Sequence, residues 1–183
     1  MNLPNILTLS RIVLIPVFVI AYYLPVEWNH YACAAIFWVA AVTDWFDGYL
    51  ARKWDQSTPF GAFLDPVADK LMVAISLAVT IEQFQSVWVT APAMIIIGRE
   101  IVVSGLREWM AERGKRDNIA VGMVGKIKTF CQMSCIFFLL VGAQHAWSYN
   151  LGMLLMYVAA GLTLWSMVQY LSASWEHLFS TEE

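Results

Sequence analysis

Residues 43–71 read TDWFDGYLARKWDQSTPFGAFLDPVADKL and carry four carboxylates, Asp44, Asp47, Asp65 and Asp69, with apolar sequence on both sides. An ionised Asp inside a membrane-spanning helix costs about 2.5–3.5 kcal/mol on insertion scales, so four of them call for a compensating partner. Asp44 and Asp47 are spaced i, i+3, and Asp65 and Asp69 i, i+4, which puts each pair on one face of a helix. Two facing pairs of hard oxygen ligands suit a divalent cation such as Mg²⁺. A cation also removes the repulsion that such close carboxylates otherwise exert on each other.

The rest of the chain sets this stretch in a membrane. Of 183 residues, 60% are apolar and 14% charged, against about 25% charged in ordinary soluble domains. A single domain over 1–183 is expected. Its first thirty residues lack a basic leader and a small-residue cleavage site, so they do not read as a cleavable signal. Cys33, Cys131 and Cys135 lie in apolar runs and read as reduced packing residues. His30, His145 and His177 fall outside the apolar runs, far in sequence from the acids, and read as non-ligands.

Apolar runs recur at about 8–24, 31–52, 63–82, 88–110, 125–143 and 150–172. Each is near the ~20 residues that cross a bilayer. No strand alternation competes with them, so the expected fold is all-α, an integral membrane bundle of six transmembrane helices. The connections 25–30, 82–87 and 143–149 contain no Lys or Arg, and all 11 basic residues can be assigned to the other side. Excess positive charge marks the cytoplasmic face, so both termini are expected in the cytoplasm. Trp28, Trp88 and Trp147 would mark the outer interface and Trp54, Trp109 and Trp175 the inner one. Near the start, Asn5 or Thr8 is expected to cap the first helix and Arg11 to snorkel toward lipid phosphate. The tail from Ser174 is expected to fray.

The second helix is expected to end near Arg52 and the third to start just before Asp65, with Pro66 in its first turn, where a missing N–H costs least. Both acid pairs would then lie near the inner membrane surface. Between them Gly48, Ala51 and Gly61 allow close approach of a ligand or backbone. Arg52 and Lys53 suit phosphate oxygens. Carboxylates, small residues and an adjacent cation together suggest a bound diphosphate.

These residues carry a resemblance. Asp44-x-x-Asp47-Gly48-x-x-Ala51-Arg52, eight further residues, then Gly61-x-x-x-Asp65-x-x-x-Asp69 resembles the signature of the CDP-alcohol phosphotransferases at every position. The resemblance implies two divalent ions, Mg²⁺ or Mn²⁺, bound by Asp44, Asp47 and Asp65. It implies that Asp69 completes the metal-facing set as general base, and that Gly48, Ala51, Arg52 and Gly61 hold the CDP moiety. It further implies attack of an alcohol on the phosphorus of a CDP-linked lipid with release of CMP, and a homodimer.

The acceptor is read from elsewhere. GREIVVSGLREWMAERG (98–114) and VGKIKT (124–129) bring Arg99, Arg107, Lys126 and Lys128 toward the same face, a cluster suited to a phosphorylated alcohol. An unpaired Arg99 in so apolar a helix would be unfavourable, and Glu100 is beside it. With NLPNILTLSR, these segments resemble bacterial family members whose acceptor is sn-glycerol 3-phosphate. The expected partners are therefore CDP-diacylglycerol, sn-glycerol 3-phosphate and membrane lipids, with no nucleic acid. The expected location is the bacterial inner membrane, multi-pass, with the site facing the cytoplasm. Arg113, Lys115 and Arg116 read as headgroup-facing charge. Within the same chemistry, other acceptors (serine, inositol phosphate, phosphatidylglycerol) compete. From another class, a cation transporter competes, although transporter sites usually sit at the midplane.

Overall fold

The computed structural model describes residues 3–54, 59–112 and 123–179. Within these ranges it leaves undescribed the side chains of 3–6, 45–54, 59–60, 62, 65, 107, 111–112, 123–124, 126 and 173–179. Among the described residues there are six helices and no strand. They are α1 (Leu3–Tyr23), α2 (Asn29–Trp54), α3 (Pro59–Phe84), α4 (Val87–Glu112), α5 (Met123–Gly142) and α6 (Ala146–Phe179). Two of them, over Val87–Met110 and Ala146–Ser172, are long and apolar enough to cross a membrane, and shorter apolar stretches cover Leu7–Tyr23 and Ile127–Gly142.

The helices run past the apolar runs at most of their ends, because hydropathy marks only what is apolar while the backbone continues through polar residues. Four expectations change accordingly. α1 begins at Leu3, so Thr8 lies inside it and buried rather than capping it. α3 begins at Pro59, which takes the first-turn place and leaves Pro66 in the helix interior. α2 continues to Trp54. α6 continues to Phe179, through most of the tail expected to fray.

Three tight connections gather at one end of the bundle. Asn29 Nδ2 donates to the carbonyl of Tyr22 at 2.9 Å, satisfying a C-terminal carbonyl of α1 from the start of α2. Gln85, just past α3, has φ 44°, the left-handed conformation that closes many helices. Tyr31 Oη and His145 Nε2 lie 2.8 Å apart, tying α2 to the α5–α6 turn. Tyr23 Oη donates to Glu82 Oε2 at 2.6 Å, joining the ends of α1 and α3. Trp28, Trp88 and Trp147 are all exposed at this end.

Packing is closest between α5 and α6, where glycines let the backbones approach. A Cβ at Gly152 would lie 2.8 Å from Leu139 Cγ and 3.0 Å from its backbone nitrogen. Phe18, Leu77, Ile96, Ile136, Leu139, Leu140 and Met156 form the dry interior. Around them Val13, Ile20, Trp38, Met94, Ile101, Phe130, Leu154, Trp165 and Val168 face outward. An apolar surface spread over several helices is more than a water-soluble monomer carries. α1 packs against both α2 and α3, whereas among the described residues α2 and α3 have little contact with each other. That wedge position matters for the acids. The three cysteines are free and buried, as expected.

Candidate active site

From the tight-turn end, Arg11, Asp44, Asp69, Arg99, Glu100 and Lys128 lie roughly 12–15 residues along their five helices, about 18–22 Å at 1.5 Å per residue. By that count the charges of the interior form one layer. The layer has two parts.

The first is built on α1, α2 and α3. Arg11, only 2% exposed, donates through Nη1 to Asp44 Oδ1 at 2.6 Å. The same nitrogen donates to Asp69 Oδ1. Arg11 therefore does not snorkel to lipid. It points inward from α1 and joins carboxylates from two helices that have little contact among the described residues. The physical reason is the one that brings the acids to notice: a cation within an apolar helix turns to a counter-charge in the bundle. Asp44 and Asp69 remain 36% and 39% exposed, so a solute can reach them while Arg11 is closed off. A small cavity of about 10 Å³ adjoins them, lined among others by Phe37, Ala40, Met72 and Met133.

Asp47 lies one turn beyond Asp44 on α2, and Asp65 one turn from Asp69 on α3, both toward the opposite end of the bundle. The side chains of Asp47 and Asp65 are outside the described ones, as are those of Gly48, Ala51 and Arg52; the expected CDP contacts at these positions fall there too. Gly61 is described, partly buried, in the first turn of α3. Among the described side chains, no three His, Cys, Asp or Glu residues converge on one point. From Asp44 to Trp54, and from Pro59 to Asp69, each helix continues about ten residues, or ~15 Å. The acids thus lie well inside the helices, deeper than the helix ends near residues 52 and 65 implied.

The second part is built on α4, α5 and α6. Lys128 Nζ donates to Glu100 Oε1 at 2.5 Å, and Arg99 Nη1 to the same oxygen at 3.2 Å. Arg99 Nη2 donates to Ser166 Oγ at 3.1 Å, and its guanidinium lies 5.7 Å from the centroid of the Tyr170 ring. Arg99 and Lys128, grouped in the sequence reading, are brought together here. The side chains of Arg107 and Lys126 are outside the described ones, and Arg113, Lys115 and Arg116 lie outside the described residues. Arg99 is paired, as its apolar surroundings require. Two cations thus share one carboxylate oxygen.

Arg11, Ser166 and Tyr170 were not picked out as site residues by sequence. For Arg11 a signal existed: four acids needed a cation, and this one is embedded in the first apolar run. Ser166 in its apolar run reads as a hydrogen-bonding residue between helices, and its bond from Arg99 joins α4 to α6; for Tyr170 no sequence signal existed.

Comparison with known proteins fixes the family. Residues 1–165 match the sequence profile described as CDP-alcohol phosphatidyltransferase. The chain belongs to that family. As a CDP-alcohol phosphatidyltransferase it is 58% identical, over 94% of both chains, to a protein of Shigella flexneri serotype 5b (strain 8401) named CDP-diacylglycerol–glycerol-3-phosphate 3-phosphatidyltransferase. The same identity and coverage hold for the protein of that name from Escherichia coli strain K12. The match includes the whole Asp44–Asp69 stretch, so the phosphatidyltransferase signature and the Arg11-centred acid pair belong to the same 165 residues.

Proposed function

We propose that this protein transfers the phosphatidyl group of CDP-diacylglycerol to sn-glycerol 3-phosphate, giving phosphatidylglycerophosphate and CMP. The observation that carries the reading is the convergence of Asp44 and Asp69, from two helices, on one cationic nitrogen. Both donor atoms are carboxylate oxygens, the hard ligands that Mg²⁺ or Mn²⁺ prefers. The relatives named for this reaction, at 58% identity, support the substrates.

In this reading Asp44, Asp47 and Asp65, with Asp69 beside them, hold two divalent ions. Such ions, when bound, neutralise charge developing on the diphosphate oxygens. Gly48, Ala51 and Gly61 admit the CDP moiety closely, and Arg52 contacts its phosphates. Asp69 accepts the proton of the glycerol hydroxyl as that oxygen attacks the phosphatidyl phosphorus. The bond from this phosphorus to the CMP oxygen breaks and CMP departs with the electron pair. Arg99 and Lys128, with Arg107 and Lys126, receive the phosphate of the acceptor through their positively charged donors. Holding both substrates in one layer makes the attack effectively intramolecular.

The chain would act as a single domain in the bacterial inner membrane, all six helices spanning, as a homodimer. Both termini and the acid layer would face the cytoplasm, where CMP and glycerol 3-phosphate are soluble. The exposed apolar side chains and two long apolar helices support the membrane setting.

The test is CMP release by purified protein in detergent with CDP-diacylglycerol and Mg²⁺, with and without glycerol 3-phosphate, beside serine, inositol phosphate and phosphatidylglycerol. Release that needs glycerol 3-phosphate and disappears in Asp69→Asn is expected. Release with a different acceptor keeps the chemistry and replaces the substrate. Folded protein that releases no CMP with any acceptor overturns the reading.

A further inference from the structure

Arg11 is the most enclosed charge of the acid layer, and it is not part of the Asp signature. Its Nη1 claims Oδ1 of Asp44 and Oδ1 of Asp69 together. It reaches them from α1, the helix wedged against both α2 and α3. Because α2 and α3 have little contact of their own among the described residues, the spacing of the two carboxylates there depends on what lies between them. A cation there holds that spacing, since its single nitrogen Nη1 draws one oxygen from each carboxylate. A divalent ion seeking the same oxygens meets a positive charge already in place, and two cations cannot share so small a space without mutual repulsion.

We propose that Arg11 is a built-in counter-ion of the acid layer, a positioning residue that holds Asp44 and Asp69 convergent and yields their oxygens to an incoming divalent cation. The exchange rests on the metal-binding reading above and goes beyond it. It makes Arg11 the residue that sets how tightly the acids bind metal. It also keeps the layer from standing open as an uncompensated negative cluster inside an apolar bundle. Arg11 thus trades metal affinity for a bundle that stays assembled between metal-binding events. Removing Arg11 both loosens the acids and lifts the competing charge, and the exchange requires the second effect to win. In a purely structural ion pair only the loosening would count and metal binding would weaken.

The full-length protein in detergent is titrated with Mn²⁺, reading free Mn²⁺ by its electron paramagnetic resonance signal. Wild type is compared with Arg11→Met, Arg11→Gln and Arg11→Lys. The neutral variants are expected to bind Mn²⁺ at least about tenfold more tightly, and Arg11→Lys to stay near wild type. The neutral variants should also melt earlier than wild type without metal and recover with saturating Mn²⁺. Equal or weaker Mn²⁺ binding in both neutral variants overturns the exchange while leaving the metal site standing. Neutral variants that cannot be recovered folded even with Mn²⁺ overturn it as well, because Arg11 would then be needed in the loaded state. A wild type that binds no Mn²⁺ removes the metal reading itself, and this inference with it.

Discussion

Lys128 on α5 reaches Glu100 on α4 with its ammonium 2.5 Å from Oε1, and Arg99 shares that oxygen. One carboxylate thus holds two cations from different helices at the depth of the acid pair. Both cations are polydentate, an ammonium having three donors and a guanidinium five. If these donors receive the acceptor phosphate, Lys128→Met raises KM for glycerol 3-phosphate by about tenfold, ~1.4 kcal/mol of binding. KM for CDP-diacylglycerol should move less than about twofold. Steady-state kinetics with each substrate varied in turn reads the split. Equal changes in both constants would assign Lys128 to general packing instead.

Arg99 makes a sharper demand because its bonds depend on shape. Nη1 serves Glu100, Nη2 serves Ser166, and the plane lies near the Tyr170 ring. Lysine keeps the charge but has no fork and no plane to stack. Arg99→Lys should therefore lower the melting temperature in detergent, and Ser166→Ala should lower it less. Each lost bond to a charged group is worth about 1.5–3 kcal/mol. Thermal unfolding of the two single variants and the double variant gives the coupling. The double variant should cost less than the sum of the singles, since Ser166 can lose the same bond only once.

Asp44→Asn and Asp69→Asn are expected to fail differently. Asparagine keeps the shape and one oxygen but removes the charge. At Asp44 the loss falls on ion binding, so the Mg²⁺ concentration for half-maximal CMP release should rise by at least about tenfold. At Asp69 the loss includes the proton acceptor, and turnover should drop by about 10²–10⁴-fold even at saturating Mg²⁺. Full recovery of Asp69→Asn by excess Mg²⁺ would leave Asp69 as a metal ligand and no base.

Much of this architecture could be read in the sequence because a bilayer restricts the choices. Runs of about twenty apolar residues in a bilayer form helices, and six such runs agree with the six helices among the described residues. Four acids at 44, 47, 65 and 69 are too costly there to be incidental. Helix ends are less legible: polar residues such as those after Ser174 continue α6 with no apolar signal, and Pro59 and Pro66 both suit a first turn, with nothing in the sequence to choose between them. Arg11 was misplaced for a related reason. A hydropathy profile reports that a cation lies in an apolar run, but not which way its helix is turned. Only the packing of α1 between α2 and α3 decides that it faces Asp44 and Asp69.

The α5–α6 hairpin depends on Gly152 in a way that its neighbour Gly161 does not share. A methyl at 152 would press on Leu139 Cγ and on the Leu139 backbone nitrogen, and the backbone cannot step aside. A methyl at 161 would meet nothing within 4 Å. Gly152→Ala should destabilise by about 1–3 kcal/mol through overpacking. Gly161→Ala should be neutral or stabilising by roughly 0.5–1 kcal/mol, because alanine restricts the unfolded chain more than glycine. Melting curves of both variants, prepared alongside wild type, test the difference. Equal shifts would mean that α5 and α6 are not packed as closely as Gly152 and Leu139 indicate.

Topology can be tested with the native cysteines in place, because Cys33, Cys131 and Cys135 are buried and give little background to a polar thiol reagent. Glu27 lies in the exposed turn between α1 and α2, at the end where Trp28, Trp88 and Trp147 are exposed. The connections at that end contain no basic residue, whereas Asp55 follows Arg52 and Lys53. In the proposed orientation the first position would lie outside and the second in the cytoplasm. In intact cells an impermeant maleimide should label Glu27→Cys and leave Asp55→Cys unlabelled until the membrane is opened. The reverse pattern would invert the bundle and turn the acid layer toward the outside. CMP would then be released where no cytidine pool can recover it, and the proposed reaction would lose its source of glycerol 3-phosphate.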